Sequence, residues 1–203
     1  MRTRITDLHT RAERTGIVAA IQAGQATRTG YALYLRNLLP AYQTLESALQ
    51  QHRDRPGIGY LAQESLYRAE RIHADLDALA GTRWAAVLPL LPSGERYAER
   101  VEAASARAGG ALLLAHAYTR YLGDLNGGRM MRGLLLRLFG PDFNATAFTE
   151  FPDIAAPPAF VAGFRAALDE AGAAILDLDR VVEETAIAFE LNIQVSEEAH
   201  AFR

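Results

Sequence analysis

A chain of 203 residues, half of them hydrophobic and with a formal net charge of −3, is long enough to bury one sizeable core and lacks the basic excess of a nucleic-acid binder. There is no cysteine, which excludes disulfides, zinc ribbons, thiolate metal ligands and cysteine nucleophiles together. All 21 basic residues are arginine, so Schiff-base and P-loop lysines are excluded too, and carboxylates must be recognised by arginine, hydroxyl or backbone N–H groups.

The opening MRTRITDLHTRAERTG has no apolar run of the kind a secretory signal needs, and its pattern predicts a short helix over residues 2–14. Gly16 precedes a further apolar turn, Ile17 to Ile21. Thr27 is a candidate cap for a long helix reaching Gln51, with Tyr31, Leu35, Leu38, Leu39, Tyr42, Leu45 and Leu49 at helical spacing. Pro40 inside it is expected to kink it. A turn-rich break, HRDRPGIG, occupies 52–59.

Helices are then predicted from Gln63 to Leu79 and from Ser93 to about Ala104, with a short apolar turn over 83–90 between them. A segment over 111–125 is expected to break at Asn126-Gly127-Gly128 and to resume over 129–139, stopped by Gly140-Pro141. Residues 142–158, with three prolines, read as loop, and helices over 159–171 and 179–201 close the chain. No segment alternates like a half-buried strand, and no run approaches the ~18 apolar residues of a membrane span. The expectation is an all-α fold with 1–203 as a single domain, cytoplasmic and monomeric, binding neither nucleic acid nor membrane.

The most informative segment is AHAYTRYLGDLNGGRMMRG, residues 115–133. Glycine at 123, 127 and 128 interrupts an otherwise helical pattern, and each costs about 1 kcal/mol relative to alanine inside a helix. Gly123 and Gly127, four apart, open a smooth strip on one face, with Asp124 beside it and Arg120 one turn earlier. Both tight helix packing and a ligand-facing strip satisfy this pattern, and Asp124 could simply pair with Arg120. His9 stands four residues before Glu13, on the same helical face, where a carboxylate can orient an imidazole. A lone histidine near an N-terminus is more commonly a solvated side chain.

AHAYTRYLGDLNGG resembles the distal-helix signature of the heme oxygenases, in which two glycines let the backbone lie against the heme plane. LHTRAERTG (8–16) is similar to the family's proximal segment, and QATRTGYALYLRNLLPAYQTLESAL (25–49), FPDIA (151–155) and AFELNIQ (188–194) follow in family order. The resemblance implies a helical bundle that binds heme as substrate and prosthetic group. It also implies ring opening to biliverdin with loss of carbon monoxide and iron, using O2 and electrons from a separate reductase or ferredoxin.

The resemblance assigns His9 as the iron ligand, with Glu13 beside it and Gly123 and Gly127 over the opposite face. Asp124 would anchor a water network that carries protons to the oxygen being activated, with Tyr42, Arg120 and Asn192 as further members. Tyr118, Arg165 and Arg2 match positions that meet the heme propionates, whereas Thr6 and Val161 stand where the family has lysines. Arg11, Arg14, Arg129 and Arg132 are candidates for docking an acidic electron donor. Of the other histidines, His116 is expected to be structural and hydrogen-bonded, and His52 and His200 solvated. A heme carrier or sensor, and a helical interaction protein without heme, are the alternatives. Storage alone requires neither Asp124 nor the glycine pair, and loss of heme would not require His9.

Overall fold

The computed structural model describes residues 2–175 and 177–202, apart from the side chains of residues 2–4, 108 and 174. Arg2, named above for a propionate, therefore has its side chain outside the described residues. Every regular element among the described residues is helical. In chain order they are α1 (Arg2–Arg14), α2 (Gly16–Gln22), α3 (Arg28–Gln51), α4 (Ile58–Leu61), α5 (Ala69–Ala80), α6 (Trp84–Val87) and α7 (Pro92–Ser105). There follow α8 (Leu113–Ala117), a π-helical turn (Tyr118–Leu122), α9 (Gly123–Phe139), α10 (Pro157–Ala174) and α11 (Leu178–Ala201).

The long helix α3 is the hub, packed chiefly on α7, then on α5 and α11. Thr27 caps it as expected, accepting from Gly30 N–H at 3.0 Å. The helix passes through Pro40 without ending. A mid-helix proline costs about 3 kcal/mol, but Tyr31, Leu35, Leu38, Leu39, Tyr42, Leu45 and Leu49 are all essentially buried. At about 1.5–3 kcal/mol for each large apolar side chain, two or three of them offset the interruption.

The second organising helix is α11, which touches α1, α2, α3, α7 and α8. Leu8 of α1 packs with Ala186, Phe189 and Ile193 of α11, with Ile5 and Ala12 alongside, so the apolar stripe of α1 fixes which face holds His9. The α1–α2 corner is pinned at Gly16, whose φ is +59°. A Cβ there would lie 2.3 Å from the backbone of Ser196, so no other residue allows the close approach.

Three boundaries differ from expectation, two of them because of a long-range partner. The helix predicted from Gln63 starts instead at Ala69, after a 3-10 turn over Glu64–Leu66. Its cap comes from α3: Glu46 accepts from the backbone N–H groups of Arg68 at 2.5 Å and Ala69 at 3.0 Å. The region over 142–158 contains a 3-10 turn, Ala147–Thr149, where Asp75 accepts from the N–H groups of Ala147 and Phe148, both at 2.8 Å. Pro157 opens α10 rather than preceding it, because the first helical position needs no N–H donor.

The expected break at 126–128 does not occur. Helix α9 runs through those glycines, and the irregularity lies one turn earlier, in the π turn Tyr118–Leu122. Glycine permits a departure from helix without requiring one. Here the departure sits where Thr119, Arg120, Tyr121 and Leu122 are all buried.

Candidate functional site

Helices α1 and α9 face each other across a cleft, with the floor supplied by α3 and α11. His9, Glu13, Tyr34, Arg120, Gly123, Asp124, Gly127, Phe189 and Asn192 all line it, and it holds about 950 Å³ of non-atom space, partly open to solvent. On the α1 wall the His9 side chain is 57% exposed, with Nδ1 3.6 Å from Glu13 Oε1. Its ring meets Phe189 edge-on at 6.0 Å between centroids. One nitrogen is thus turned to a carboxylate, which leaves Nε2 as the donor atom for a metal.

On the α9 wall the four polar residues picked from the sequence meet in one network. Tyr42 donates its phenol proton to Asp124 Oδ2. Arg120 donates from Nε to the Tyr42 hydroxyl at 2.8 Å, from Nη2 to Asp124 Oδ1 at 3.2 Å, and from Nη1 to Asn192 Oδ1. The reading of Asp124 as a simple partner of Arg120 is therefore incomplete, since the carboxylate serves two donors from two helices.

Burial dominates the electrostatics. It pushes the Asp124 carboxyl above its ordinary range, against the opposing pull of Arg120 and the Tyr42 hydrogen bond. Burial also pushes the Tyr42 phenol well up, with Arg120 partly offsetting it. For Arg120 burial works against the charge, but Tyr42 and Asp124 outweigh it and keep the guanidinium protonated. A buried carboxyl whose affinity for a proton is raised, hydrogen-bonded to a phenol and 12% exposed, is suited to exchanging protons with the cleft.

The two readings of the glycine strip separate residue by residue. A Cβ at Gly128 would lie 2.5 Å from the Thr149 carbonyl oxygen, so that glycine serves packing. Cβ atoms at Gly123 and Gly127 would meet nothing within 4 Å. Packing does not account for those two, and together they forgo about 2 kcal/mol of helix propensity. A bare strip of backbone opposite an imidazole fits a broad, flat group such as a metalloporphyrin, held by His9 on one face and passed closely by α9 on the other.

The carboxylate-binding positions are less convergent. Tyr118 lines a separate apolar hollow with Ile5, Thr6, Leu114, Leu168 and Val182, beside the His9 cleft and bordered by the same helix α1. Arg165 is exposed on α10 and lines neither hollow. Among the candidate docking arginines, Arg11 is engaged by Glu190 at 3.1 Å and Glu197 at 3.8 Å, and Arg132 by Glu150 at 2.7 Å. Arg14 and Arg129 are exposed.

His116 is fully buried and bonded to Glu184, as expected of a structural histidine. His52 is not simply solvated: it meets Ser105 Oγ at 3.2 Å. Sequence reasoning missed Tyr34, Phe148 and Met131 as lining residues. Tyr34 was within reach, because it lies two helical turns before Tyr42 on the same face. Phe148 was not, since it is carried in by the turn that Asp75 holds.

The sequence profile described as "Heme oxygenase" matches residues 1–198. The chain is 34% identical to heme oxygenase 1 of Nostoc sp. over 94% of this chain and 80% of that protein. It is also 34% identical to heme oxygenase 1 of Homo sapiens, over 95% and 67%. Among solved structures it is similar to heme oxygenase-1 from the cyanobacterium Synechocystis sp. in complex with heme, with a TM-score of 0.88 and 29% identity over 97% of this chain and 89% of that one. The heme oxygenase from Leptospira interrogans gives the same TM-score at 26% identity, over 97% and 96%. With the profile match running through residue 198 and an imidazole facing a bare glycine strip and a buried carboxyl, the chain belongs to the heme oxygenase family.

Proposed function

We propose that residues 1–203 act as one unit that degrades heme, opening the porphyrin ring to biliverdin with release of carbon monoxide and ferrous iron. The observation that carries this reading is the cleft with His9 on one wall and, on the other, the open strip of Gly123 and Gly127 beside Asp124. Heme supplies both the iron at which O2 is activated and the ring that is opened.

His9 would hold the iron through Nε2, with Glu13 orienting the imidazole from the Nδ1 side. With no side chain at Gly123 and Gly127, the backbone of α9 would lie against the opposite face of a bound heme. Asp124, accepting from Tyr42 and Arg120, anchors the water network that carries protons into the cleft. Arg120 fixes both groups and is itself fixed by Asn192. Asp124 would act on a bound heme through water, which favours proton supply without a strong acid in contact.

Tyr118, with Arg2 and Arg165, takes the propionate edge, next to an apolar hollow where Thr6 supplies no cation. Electrons come from a separate reductase or ferredoxin, for which Arg14 and Arg129 are the arginines left for an acidic surface. The chain acts in the cytoplasm as a monomer; among the described residues no helix is long and apolar enough to cross a membrane.

The test is addition of a reductant in air, with catalase present, to the protein titrated with hemin. Loss of the Soret band with growth of biliverdin absorption is the expected result. A heme that survives repeated reduction would make the chain a carrier, and no Soret change on adding hemin would remove the heme assignment.

A further inference from the structure

Glu184 of α11 is a carboxylate with 2% exposure, lying away from the cleft. Its Oε1 accepts from His116 Nε2 at 3.0 Å and from Arg100 Nε at 2.8 Å, and its Oε2 accepts from Arg100 Nη2 at 2.5 Å. Burial alone would raise its pKa, but the bonds from His116 and Arg100 hold it down to about 2. Because a carboxylate only accepts, Nε2 is the protonated nitrogen of the His116 ring. On its other side that ring faces Tyr97 of α7 at 5.9 Å.

The position of this cluster gives it a consequence for the cleft. His116 is in α8, immediately before the π turn, and Arg120 lies one turn further on, inside it. Both are tied to the same partner helix: His116 to Glu184, and Arg120 to Asn192, two turns along α11. Arg100 anchors the first tie to α7. A π turn carries one residue more than the α-helical turn it replaces and is the less stable form, so it needs outside support. Were it to relax into α-helix, every residue after it would rotate by on the order of 100° about the helix axis. Asp124 and the glycine strip would then turn away from Tyr42 and from the cleft.

We propose that Glu184 is a positioning residue: held by Arg100 and holding His116, it fixes the π turn that sets Arg120 and Asp124 against Tyr42 and Asn192. This rests on the reading of those four residues as the proton-handling network.

The test compares Glu184→Gln and Arg100→Gln with wild type, using Asp153→Asn, an exposed carboxylate paired with Arg71, as a control. In Glu184→Gln turnover should fall on the order of 10- to 100-fold, the size expected when a catalytic group is displaced by about an ångström, and hemin affinity should fall as well, because Gly123 and Gly127 move with Asp124. The pH-dependent optical transition of the ferric hemin complex should move by about half a unit or more. In the hemin-free protein, amide exchange should quicken at 118–122 and not in α3. Arg100→Gln, which keeps the His116 contact, should change the same quantities less.

Wild-type turnover and transition in a Glu184→Gln protein that has only lost thermal stability would overturn the proposal. If that variant does not fold, Arg100→Gln decides by the same criterion. A wild-type protein that binds hemin without degrading it would sink the functional reading instead. The exchange pattern at 118–122 would then decide the positioning role alone.

Discussion

Adding one methyl group to the glycine strip should stabilise the empty protein and weaken its grip on heme. Gly123 has ordinary helical angles, φ −62° and ψ −47°, and a Cβ there meets nothing within 4 Å. Gly123→Ala therefore gains about 1 kcal/mol of helix propensity and reduced unfolded-state entropy. For a chain of this length that raises the hemin-free melting temperature by about 2–4 °C. The same methyl projects into the cleft from the wall opposite His9. Inserting it against a close-packed ring costs about 1–3 kcal/mol, which is a loss of hemin affinity of roughly 5- to 150-fold. Gly128→Ala should behave in the opposite way: its Cβ would press to 2.5 Å from the Thr149 carbonyl oxygen, so stability falls first. Thermal melts without hemin and Soret titrations with it read the two quantities separately. A Gly123→Ala protein with unchanged hemin affinity, or with lowered stability, would refute the placement of the ring against α9.

His9→Ala should abolish the His-ligated hemin spectrum and turnover, and added imidazole should restore the ligation; an unaltered spectrum would remove His9 as the ligand. Asp124→Asn keeps the shape of the network but cannot hold or pass the proton, so biliverdin yield should fall about 100-fold or more while hemin still binds. Normal yield from that variant would place the proton supply elsewhere. Glu184 predicts an acid-labile increment of stability. Its pKa is lowered from 4.5 to about 2 on folding, so the ionised group stabilises the fold above pH ~4.5, and this is lost as pH falls toward 2. Wild type should lose on the order of 3 kcal/mol more than Glu184→Gln across that window, and parallel acid melts of the two would contradict it.

Much of this site was legible because its chemistry is concentrated in short, ordered segments. The spacing of Arg120, Gly123, Asp124 and Gly127 fixes one helix face before any tertiary contact is known. The His9–Glu13 pair lies within one turn and is likewise local. What the sequence concealed depends on partners distant along the chain. Glu46 decides where α5 begins, from 22 residues away. Asp75 builds the turn that delivers Phe148 to the cleft, from 72 residues away. The glycines suggested a break at 126–128, yet the backbone departs from α-helix at Tyr118–Leu122, a stretch with helical periodicity whose π turn packs against α11. Of the four arginines that invited a docking role, Arg11 and Arg132 are engaged by their own carboxylate neighbours, Glu190, Glu197 and Glu150.

The measurement that bears most directly on the central claim is carbon monoxide released per hemin consumed, trapped and quantified in a turnover with catalase present. Ring opening at the site built by His9 and Asp124 predicts one equivalent of carbon monoxide for each hemin lost. Hemin consumption without carbon monoxide would mean peroxide bleaching rather than enzymatic ring opening, and would contradict the account.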